Sequence, residues 1–289
     1  MSDPGTSPLR LLAVLAHPDD ESLGLGGTLA RYARERVEVS LVVATHGQAG
    51  RYRGIAPGAP GHPGADELAR IRELELRAAV RELGIGELSL LGYHDQELDR
   101  AAPAEVIARI AAQLRRLRPQ VVLTFGADGA YGHPDHIAIS QFTTAAIVAA
   151  ADPGFSTQAA GEDLEPHAVA KLYYMAWPAS ATAAYEEAFR KLVSVVDGVE
   201  REASSFPDWA LSAVIDTHDV WQTVWRAVSC HESQIVAYEK LAHLSAASHE
   251  ALWGWQSFYR VFSTVNGGRT RESDLFEGLR ASVPMKESR

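Results

Sequence analysis

The sequence is poor in cysteine and in long apolar runs, and its charge is mainly of one sign. A single cysteine, Cys230, stands in 289 residues, so an intrachain disulfide is excluded and a cytoplasmic location is favoured. The formal net charge of −10 argues against nucleic acid as a partner, because phosphate binding needs clustered cations. No apolar run is long enough to cross a bilayer, and Leu11–Ala16 is interpreted as a buried strand rather than a signal peptide.

Apolar strands alternate with helical patterns in the first half of the chain. The predicted strands are Leu11–Ala16, Val37–Thr45, Leu88–Leu91 and Val121–Phe125, and the predicted helices are Leu23–Arg34, Ala65–Leu83, Pro103–Leu117 and Ile137–Ala150. Near-continuous apolar strands are typical of a parallel sheet that is covered on both faces. The pattern therefore predicts an α/β, Rossmann-like fold, with a mainly parallel sheet and helices on both faces.

The second half of the chain is expected to complete the same domain. Its predicted strands are Val169–Trp177 and Ala213–Ile215, and its predicted helices are Ala183–Ser204 and Val220–Cys230. The tail Ser248–Arg289 contains an aromatic cluster, interpreted as a helix that packs on the core, or alternatively as a wall of the active site or an oligomer contact. We expect one domain over residues 1–289, in which residues 1–150 carry a metal site and residues 151–289 complete the sheet and cover that site.

Two polar clusters follow predicted strands. The first, His17–Glu21, reads His-Pro-Asp-Asp-Glu, and the second, Tyr131–His136, reads Tyr-Gly-His-Pro-Asp-His. Ligands of open α/β sheets bind beyond the carboxyl ends of the strands, which is where both clusters are expected to lie. A lone His-Pro-Asp step is usually only a turn. Two such steps at successive strand ends indicate a site.

The residue types in these clusters suit metal-assisted amide hydrolysis. Two imidazoles and one carboxylate form a three-ligand site of the kind that catalytic zinc uses. His17 and Asp20 share a helical spacing of three, as do His133 and His136, and one histidine of the second pair would complete the set. One carboxylate and one histidine then remain to take up and deliver protons.

These motifs carry a resemblance to a known family. Ala16–Glu21 reads A-H-P-D-D-E and His133–His136 reads H-P-D-H, and together they resemble the PIG-L / LmbE-like deacetylases of N-acetylated amino sugars. That family includes the deacetylases of mycothiol and bacillithiol synthesis and mycothiol S-conjugate amidase. Further similar segments are Arg72–Leu76, His231–Gln234 and Asp274–Gly278. The resemblance implies removal of an N-acyl group, expected to be N-acetyl, from an amino sugar or its conjugate.

The resemblance also assigns the metal ligands and the base. It implies that His17, Asp20 and His136 bind Zn²⁺, with Fe²⁺ or another divalent metal as the alternative, and that Asp19 is the general base.

Five further positions receive roles from the resemblance. It implies that His133 stabilises the oxyanion or acts as an acid, that Asp135 tunes His133, and that Tyr131 polarises the substrate carbonyl. Arg72 and Asp95 match sugar-binding positions.

Structural alternatives stay open for several polar residues. Arg72 could be a solvated helix residue paired with Glu75, and Asp95 could simply start a turn. His46 could line the site, and His231 is expected to be a structural hydrogen-bonding residue rather than a ligand. Surface positions are expected for the other histidines: His62, His167, His218, His243 and His249.

Other functions are weighed against deacetylation. The same chemistry would serve an amidase of a larger thiol or lipid conjugate. A non-haem iron oxygenase also uses two histidines and one carboxylate, but it needs no spare acid–base pair. A non-catalytic sugar-binding module would need neither spare group. Dinucleotide binding is disfavoured because the full G-x-G-x-x-G pattern would need a glycine where Leu29 stands. We expect the glycines at 24, 26 and 27 to allow close helix–sheet packing instead. The partner is expected to be a small molecule, and a homo-oligomer is left open.

Overall fold

A mostly parallel sheet of seven strands forms the centre of the computed structural model. The structure describes residues 8–181, 193–196, 198–202, 205–268 and 270–280. The strands are β1 (Arg10–Leu15), β2 (Glu38–Thr45), β3 (Glu87–Tyr93), β4 (Val121–Thr124), β5 (Lys171–Met175), β6 (Val193–Val196), β7 (Val199–Glu202), β8 (Ala213–Asp216) and β9 (Trp255–Ser263). The central sheet has the order β3-β2-β1-β4-β5-β9-β8, and β6 and β7 form a separate hairpin.

Helices cover this sheet. They are α1 (Asp20–Arg34), α2 (Ala65–Leu83), α3 (Pro103–Leu117), α4 (Pro134–Ala151), α5 (Trp221–Ser229), α6 (Glu239–His243) and α7 (Ala246–Trp253), with short 3₁₀ turns between several elements. Strands β1 to β5 pair in parallel, and β9 runs antiparallel to both of its neighbours. The predicted α/β, Rossmann-like fold is confirmed.

The buried strands explain the order of the sheet. Every residue from Leu11 to Leu15 is buried, as are all four residues of β4, so neither strand has a polar face to present to water. Strands of this kind need helices on both sides. β1 lies between β2 and β4, which brings the carboxyl ends of β1 and β4 next to each other.

Two expectations for the second half were wrong. The aromatic tail is not one helix, because α7 ends at Trp253 and β9 follows. Gln256 and Phe258 are buried while Trp255 and Tyr259 are exposed, and this alternation is typical of a strand. The helix expected at residues 183–204 falls partly outside the described residues, and the described parts form the hairpin β6–β7, which turns at Gly198 with φ 76°.

The glycines near the start of α1 allow close packing, against the sheet as expected at Gly24, where a Cβ would lie 2.9 Å from Met175 Sδ, and against another helix and a turn at the next two. A Cβ at Gly27 would lie 2.8 Å from Thr217 Cβ, and one at Gly26 would lie 3.1 Å from a methyl group of Val224. Helix α1 can therefore approach α5 and the turn before it. None of the helices in the described part of the chain is both long enough and apolar enough to span a membrane.

Candidate metal and catalytic site

The two polar clusters meet at the carboxyl ends of β1 and β4. His17 lies two residues beyond the end of β1, and Asp20 is the first residue of α1. His133 caps α4, whose first turn includes Asp135 and His136. Proline follows His17 and His133, and a proline near the first turn costs little because its missing N–H would be unpaired there. Both helix entrances therefore hold their polar side chains on short, constrained connections.

Three side chains bring potential metal-ligand atoms together at this edge. His17 Nδ1 lies 3.1 Å from His136 Nε2 and 3.6 Å from Asp20 Oδ2, and His136 Nε2 lies 3.4 Å from Asp20 Oδ1. Ligands bound about 2.0–2.1 Å from a tetrahedral zinc ion are separated by about 3.3–3.4 Å from one another. His17 and His136 are almost fully buried. The three side chains therefore fit a metal of that size.

Hydrogen bonds turn the two imidazoles toward each other. His17 Nε2 lies 3.1 Å from both Asp135 Oδ2 and Asp95 Oδ1, and His136 Nδ1 lies 3.2 Å from the carbonyl oxygen of Gly129. Phe125 stacks on the His136 ring at 3.9 Å. A proton on each of these outer nitrogens leaves a lone pair on the facing nitrogen, which is how outer contacts orient metal-binding histidines. Burial opposes the charge on His17, but Asp135 and Asp95 raise its pKa to about 10, so a metal that binds Nδ1 would displace a proton from that atom.

Two other groups of three side chains also bring donor atoms within 4.8 Å. They are His17, His133 and His136, and His17, Asp95 and Asp135. In the second group both carboxylates already accept backbone hydrogen bonds, Asp95 from Ala49 and Asp135 from Gln96 and Leu98. The carboxylates are thus committed to His17 and to the main chain. The structure therefore contains a possible metal-binding site in which His17 is shared by every arrangement.

Asp19 stands beside the three donor atoms in an unusual backbone conformation. Its φ is 108° and its ψ is −25°, a left-handed region that non-glycine residues rarely adopt. Its side chain is buried, and Arg72 Nη2 lies 3.2 Å from Asp19 Oδ2. Burial raises the pKa of Asp19 even though Arg72 opposes the rise. A carboxylate with a raised pKa is suited to accept a proton.

Arg72 is a buried residue beside Asp19 rather than a solvated one. It is 4% exposed, donates through Nη1 to Gly47 O at 2.8 Å, and donates through Nη2 to Pro18 O. The interpretation of a solvated residue paired with Glu75 is wrong, since Glu75 instead accepts from the N–H and hydroxyl of Ser233. Arg72 therefore binds the main chain of two separate loops as well as the Asp19 carboxylate.

His133 and Tyr131 lie against the same cluster. The Asp135 N–H donates to His133 Nδ1 at 3.2 Å, which leaves His133 Nε2 to carry the proton of the neutral ring. Burial, together with His17 and His136, lowers the pKa of His133 to about 4. The Tyr131 ring centre lies 5.2 Å from that of His136, and burial raises the pKa of its phenol. Both side chains are therefore uncharged hydrogen-bond donors near neutral pH.

Asp95 and Asp135 contact His17 rather than the groups expected. Asp95 is 5% exposed and its pKa is about 2, because hydrogen bonding to His17 outweighs the opposing effect of burial. The turn interpretation of Asp95 does not account for this contact. Asp135 is fully buried, and its carboxylate lies on His17 instead of His133. Its influence on His133 is restricted to its main-chain N–H and its charge.

Sequence reasoning missed one pair beside the site. Glu21 Oε1 lies 2.8 Å from His231 Nε2, and both residues are buried. Burial opposes the charge on each group, yet His231 holds the pKa of Glu21 below its usual range and Glu21 raises that of His231. His231 is thus a hydrogen-bonding residue, as expected. The partner could not be found from sequence, because 210 positions separate the two.

Two other histidines complete the comparison with expectation. His46 lies outside the three-donor cluster, with Nδ1 3.7 Å from Glu73 Oε2. His249 is not a surface residue: it is 6% exposed and stacks on both Trp225 and Trp253, with ring centres 4.8 and 5.2 Å away.

Comparison with known proteins identifies the family. The family model described as PIG-L, GlcNAc-PI de-N-acetylase, matches residues 12–147. A 1D-myo-inositol 2-acetamido-2-deoxy-alpha-D-glucopyranoside deacetylase of Kineococcus radiotolerans is 34% identical over 95% of this chain and 84% of its own length. The chain belongs to the PIG-L family. The matched residues include both polar clusters, so membership and the resemblance seen in the sequence agree, and the protein is a hydrolase of the deacetylase type.

Solved structures share the PIG-L fold with this chain. The N,N'-diacetylchitobiose deacetylase of Pyrococcus horikoshii aligns with a TM-score of 0.64 and 21% identity, covering 87% of this chain and 83% of its own. The 4-carboxy-2-hydroxymuconate hydratase GalB of Pseudomonas putida aligns with a TM-score of 0.65 and 19% identity, covering 90% of this chain and 99% of its own. One neighbour is a deacetylase and the other a hydratase, so the fold alone does not choose the reaction.

Proposed function

We propose that this protein is a zinc-dependent hydrolase that removes the N-acetyl group from an amino-sugar conjugate. The observation that carries the proposal is the convergence of His17 Nδ1, His136 Nε2 and the Asp20 carboxylate, 3.1–3.6 Å apart, directly beside Asp19. The relative from Kineococcus radiotolerans, named for a 2-acetamido-2-deoxy-glucopyranoside of myo-inositol, makes that compound the first substrate to test.

We assign the metal to His17, Asp20 and His136. When bound, Zn²⁺ supplies Lewis acidity, which lowers the pKa of a coordinated water and polarises a carbonyl oxygen. This set is preferred over the one with Asp95 and Asp135, because both of those carboxylates already hold His17 Nε2. Asp20 accepts the main-chain N–H of His17 through Oδ2 alone, and its Oδ1 lies 3.4 Å from His136 Nε2. Asp95 and Asp135 then orient His17 from behind.

The remaining side chains supply the proton transfers. Asp19 accepts the proton of the attacking water, and Arg72 holds the Asp19 carboxylate in place. His133, a neutral ring with its proton on Nε2, donates a hydrogen bond to the developing oxyanion, and Asp19 passes the proton that it took from the water to the leaving amine. Tyr131 donates its hydroxyl to the substrate carbonyl. Arg72 acts mainly on Asp19, so a direct sugar contact is the weaker part of its proposed role.

The test is a substrate screen on metal-defined protein. The apoprotein is reconstituted with Zn²⁺ or Fe²⁺ and given the inositol conjugate, N-acetylglucosamine and larger thiol conjugates, and acetate and free amine are measured together. Equal release of both products from the inositol conjugate is expected. Cleavage of thiol conjugates alone would favour the amidase, oxygen consumption with iron would favour the oxygenase, and sugar binding without turnover at any metal loading would contradict catalysis.

We also propose the domain organisation and the cellular location of the enzyme. We infer a single domain over residues 1–289, since β5, β8 and β9 continue the sheet begun by β1 to β4. A lone cysteine and a small-molecule substrate are consistent with the cytoplasm.

A further inference from the structure

The Asp19 peptide adopts a conformation that must be held by its surroundings. A non-glycine residue in a sparsely populated backbone region costs about 1–3 kcal/mol, and it persists only where its neighbours fix it. Asp19 has φ 108° and lies between two residues whose side chains reach the metal site, His17 and Asp20. If this peptide relaxed, the Asp19 carboxylate would rotate and the Asp20 carboxylate would shift with it.

Glu21 is the side chain that holds this peptide. Its Oε2 accepts the main-chain N–H of Asp19 at 2.9 Å, and its Oε1 accepts the Ser22 hydroxyl at 2.5 Å. The Glu21 side chain is fully buried, and a buried carboxylate needs a partner of opposite charge or a set of strong donors. Besides Ser22, Glu21 Oε1 receives a second hydrogen bond, which comes from outside this segment.

His231 supplies that donor from a distant part of the chain. It follows α5, is 1% exposed, and places Nε2 2.8 Å from Glu21 Oε1. Its Nδ1 has no hydrogen-bond partner among the described residues, so the polar contacts of the ring run through Nε2. Ser233 in the same segment makes a separate contact, in which its N–H and hydroxyl both donate to Glu75 at 2.7 Å.

We propose that His231 is a positioning residue that acts through Glu21 to hold the left-handed peptide at Asp19 and, with it, the geometry of the metal-binding segment. The inference rests on the proposed function, in which Asp19 takes the proton and Asp20 binds the metal. The conformation of the Asp19 peptide should then depend on a hydrogen-bond donor at the position of His231 Nε2. If the side chain at 231 only filled space, loss of this donor would leave the Asp19 peptide unchanged.

Two amide substitutions separate these possibilities. In His231→Gln the amide nitrogen can occupy the place of Nε2 and reach Glu21, whereas in His231→Asn it falls at the place of Nδ1, short of Glu21. The Asn variant is expected to bind Zn²⁺ about 10–100-fold more weakly, the usual effect of losing an outer contact of a metal site. The Gln variant is expected to stay close to wild type. Zinc affinity is measured by competition with a chromophoric chelator.

Controls make either result decisive. Ser233→Ala weakens the anchor on Glu75 and leaves the contact of His231 with Glu21 intact, so it should lower stability in urea without changing zinc affinity. With the inositol conjugate as substrate, His231→Asn should lower kcat and leave KM unchanged, and His231→Gln should restore kcat. Equal zinc affinities in the Asn and Gln variants, or an equal loss in Ser233→Ala, would overturn the proposal. Zinc affinity needs no substrate, so an inactive wild type would contradict the proposed function alone.

Discussion

Gly47 lies in the loop after β2 and is linked through Arg72 to the proposed base, Asp19. Its φ is 64°, and a Cβ added there would lie 2.8 Å from Arg72 Nε and would overlap Arg72 Nη1 and Cζ. The same guanidinium bonds to Gly47 O and to Asp19 Oδ2. We therefore expect Gly47→Ala to push Arg72 away from Asp19, although residue 47 itself bonds to no group of the proposed metal site.

The size of the effect follows from two contributions. A non-glycine residue in a left-handed conformation costs about 1–2 kcal/mol. Losing one hydrogen bond to a charged group costs about 1.5–3 kcal/mol, so Gly47→Ala should lower the free energy of unfolding by about 2.5–5 kcal/mol. If the lost bond is the one to Asp19, the hydrogen-bond contribution of about 1.5–3 kcal/mol alone corresponds to a fall in kcat of about 10–150-fold.

The chain offers a matched control in the same loop. Gly58 has φ 77°, and a Cβ added there would meet nothing within 4 Å. Gly58→Ala should therefore show only the backbone cost of about 1–2 kcal/mol, with kcat unchanged. Unfolding in urea measures the free energies, and acetate release measures kcat.

A double-mutant cycle tests the steric argument. In an Arg72→Leu background the added methyl group meets no guanidinium, so Gly47→Ala should cost no more than Gly58→Ala does. If Gly47→Ala is as harmful with Leu at position 72 as with Arg, or no worse than Gly58→Ala in the wild type, the argument from Arg72 is refuted.

Other predictions address the metal, the protons and the core. Asp19→Asn should retain zinc, measured by elemental analysis, while kcat falls by about 10²–10⁴-fold, and an active variant would contradict its role as base. His17→Ala should lose zinc and His133→Ala should keep it, and loss from the second would make that residue a ligand. Although burial opposes its charge, Glu272 has a lowered pKa because Lys171 Nζ donates to it at 2.7 Å. Its contribution to stability is therefore present above the unfolded pKa of about 4.3 and lost as pH falls. Glu272→Gln should flatten the loss of unfolding free energy between about pH 5 and pH 3, and an unchanged slope would contradict this.

Local patterns were sufficient to predict most of the fold. The strand predicted at Leu11–Ala16 is observed as Arg10–Leu15, and the helix predicted at Ala65–Leu83 has those bounds in the structure. Both are specified by short-range features: a run without polar residues in the first case, and a helical apolar stripe ended by Gly84 in the second. The antiparallel strand β9 was missed because its aromatic residues suggested burial on a helix, while its alternation of exposed and buried side chains depends on neighbours from β5 and β8.

Partners across the chain could not be predicted in the same way. Local spacing suggested Glu75 for Arg72, three positions away, but Arg72 bonds to Asp19, 53 positions away. Likewise Asp135 was expected to act on its neighbour His133, whereas its carboxylate lies on His17. In each case the sequence indicated a polar residue near the site, and the pairing was decided by which strand ends the sheet brings together.

The two His-Pro-Asp steps look alike in sequence and differ in what their aspartates do. In the second step Asp135 lies within the first turn of α4, and its carboxylate turns inward to two main-chain N–H groups and to His17. In the first step Asp19 precedes α1 in a left-handed conformation, and its carboxylate is turned toward Arg72. One backbone rotation thus separates an aspartate that orients a histidine from the aspartate proposed to take a proton. Glu21 accepts the N–H of that rotated peptide, which accounts for a glutamate directly after Asp20 in the first cluster. In the second cluster the aspartate is helical, so no rotated peptide has to be held there.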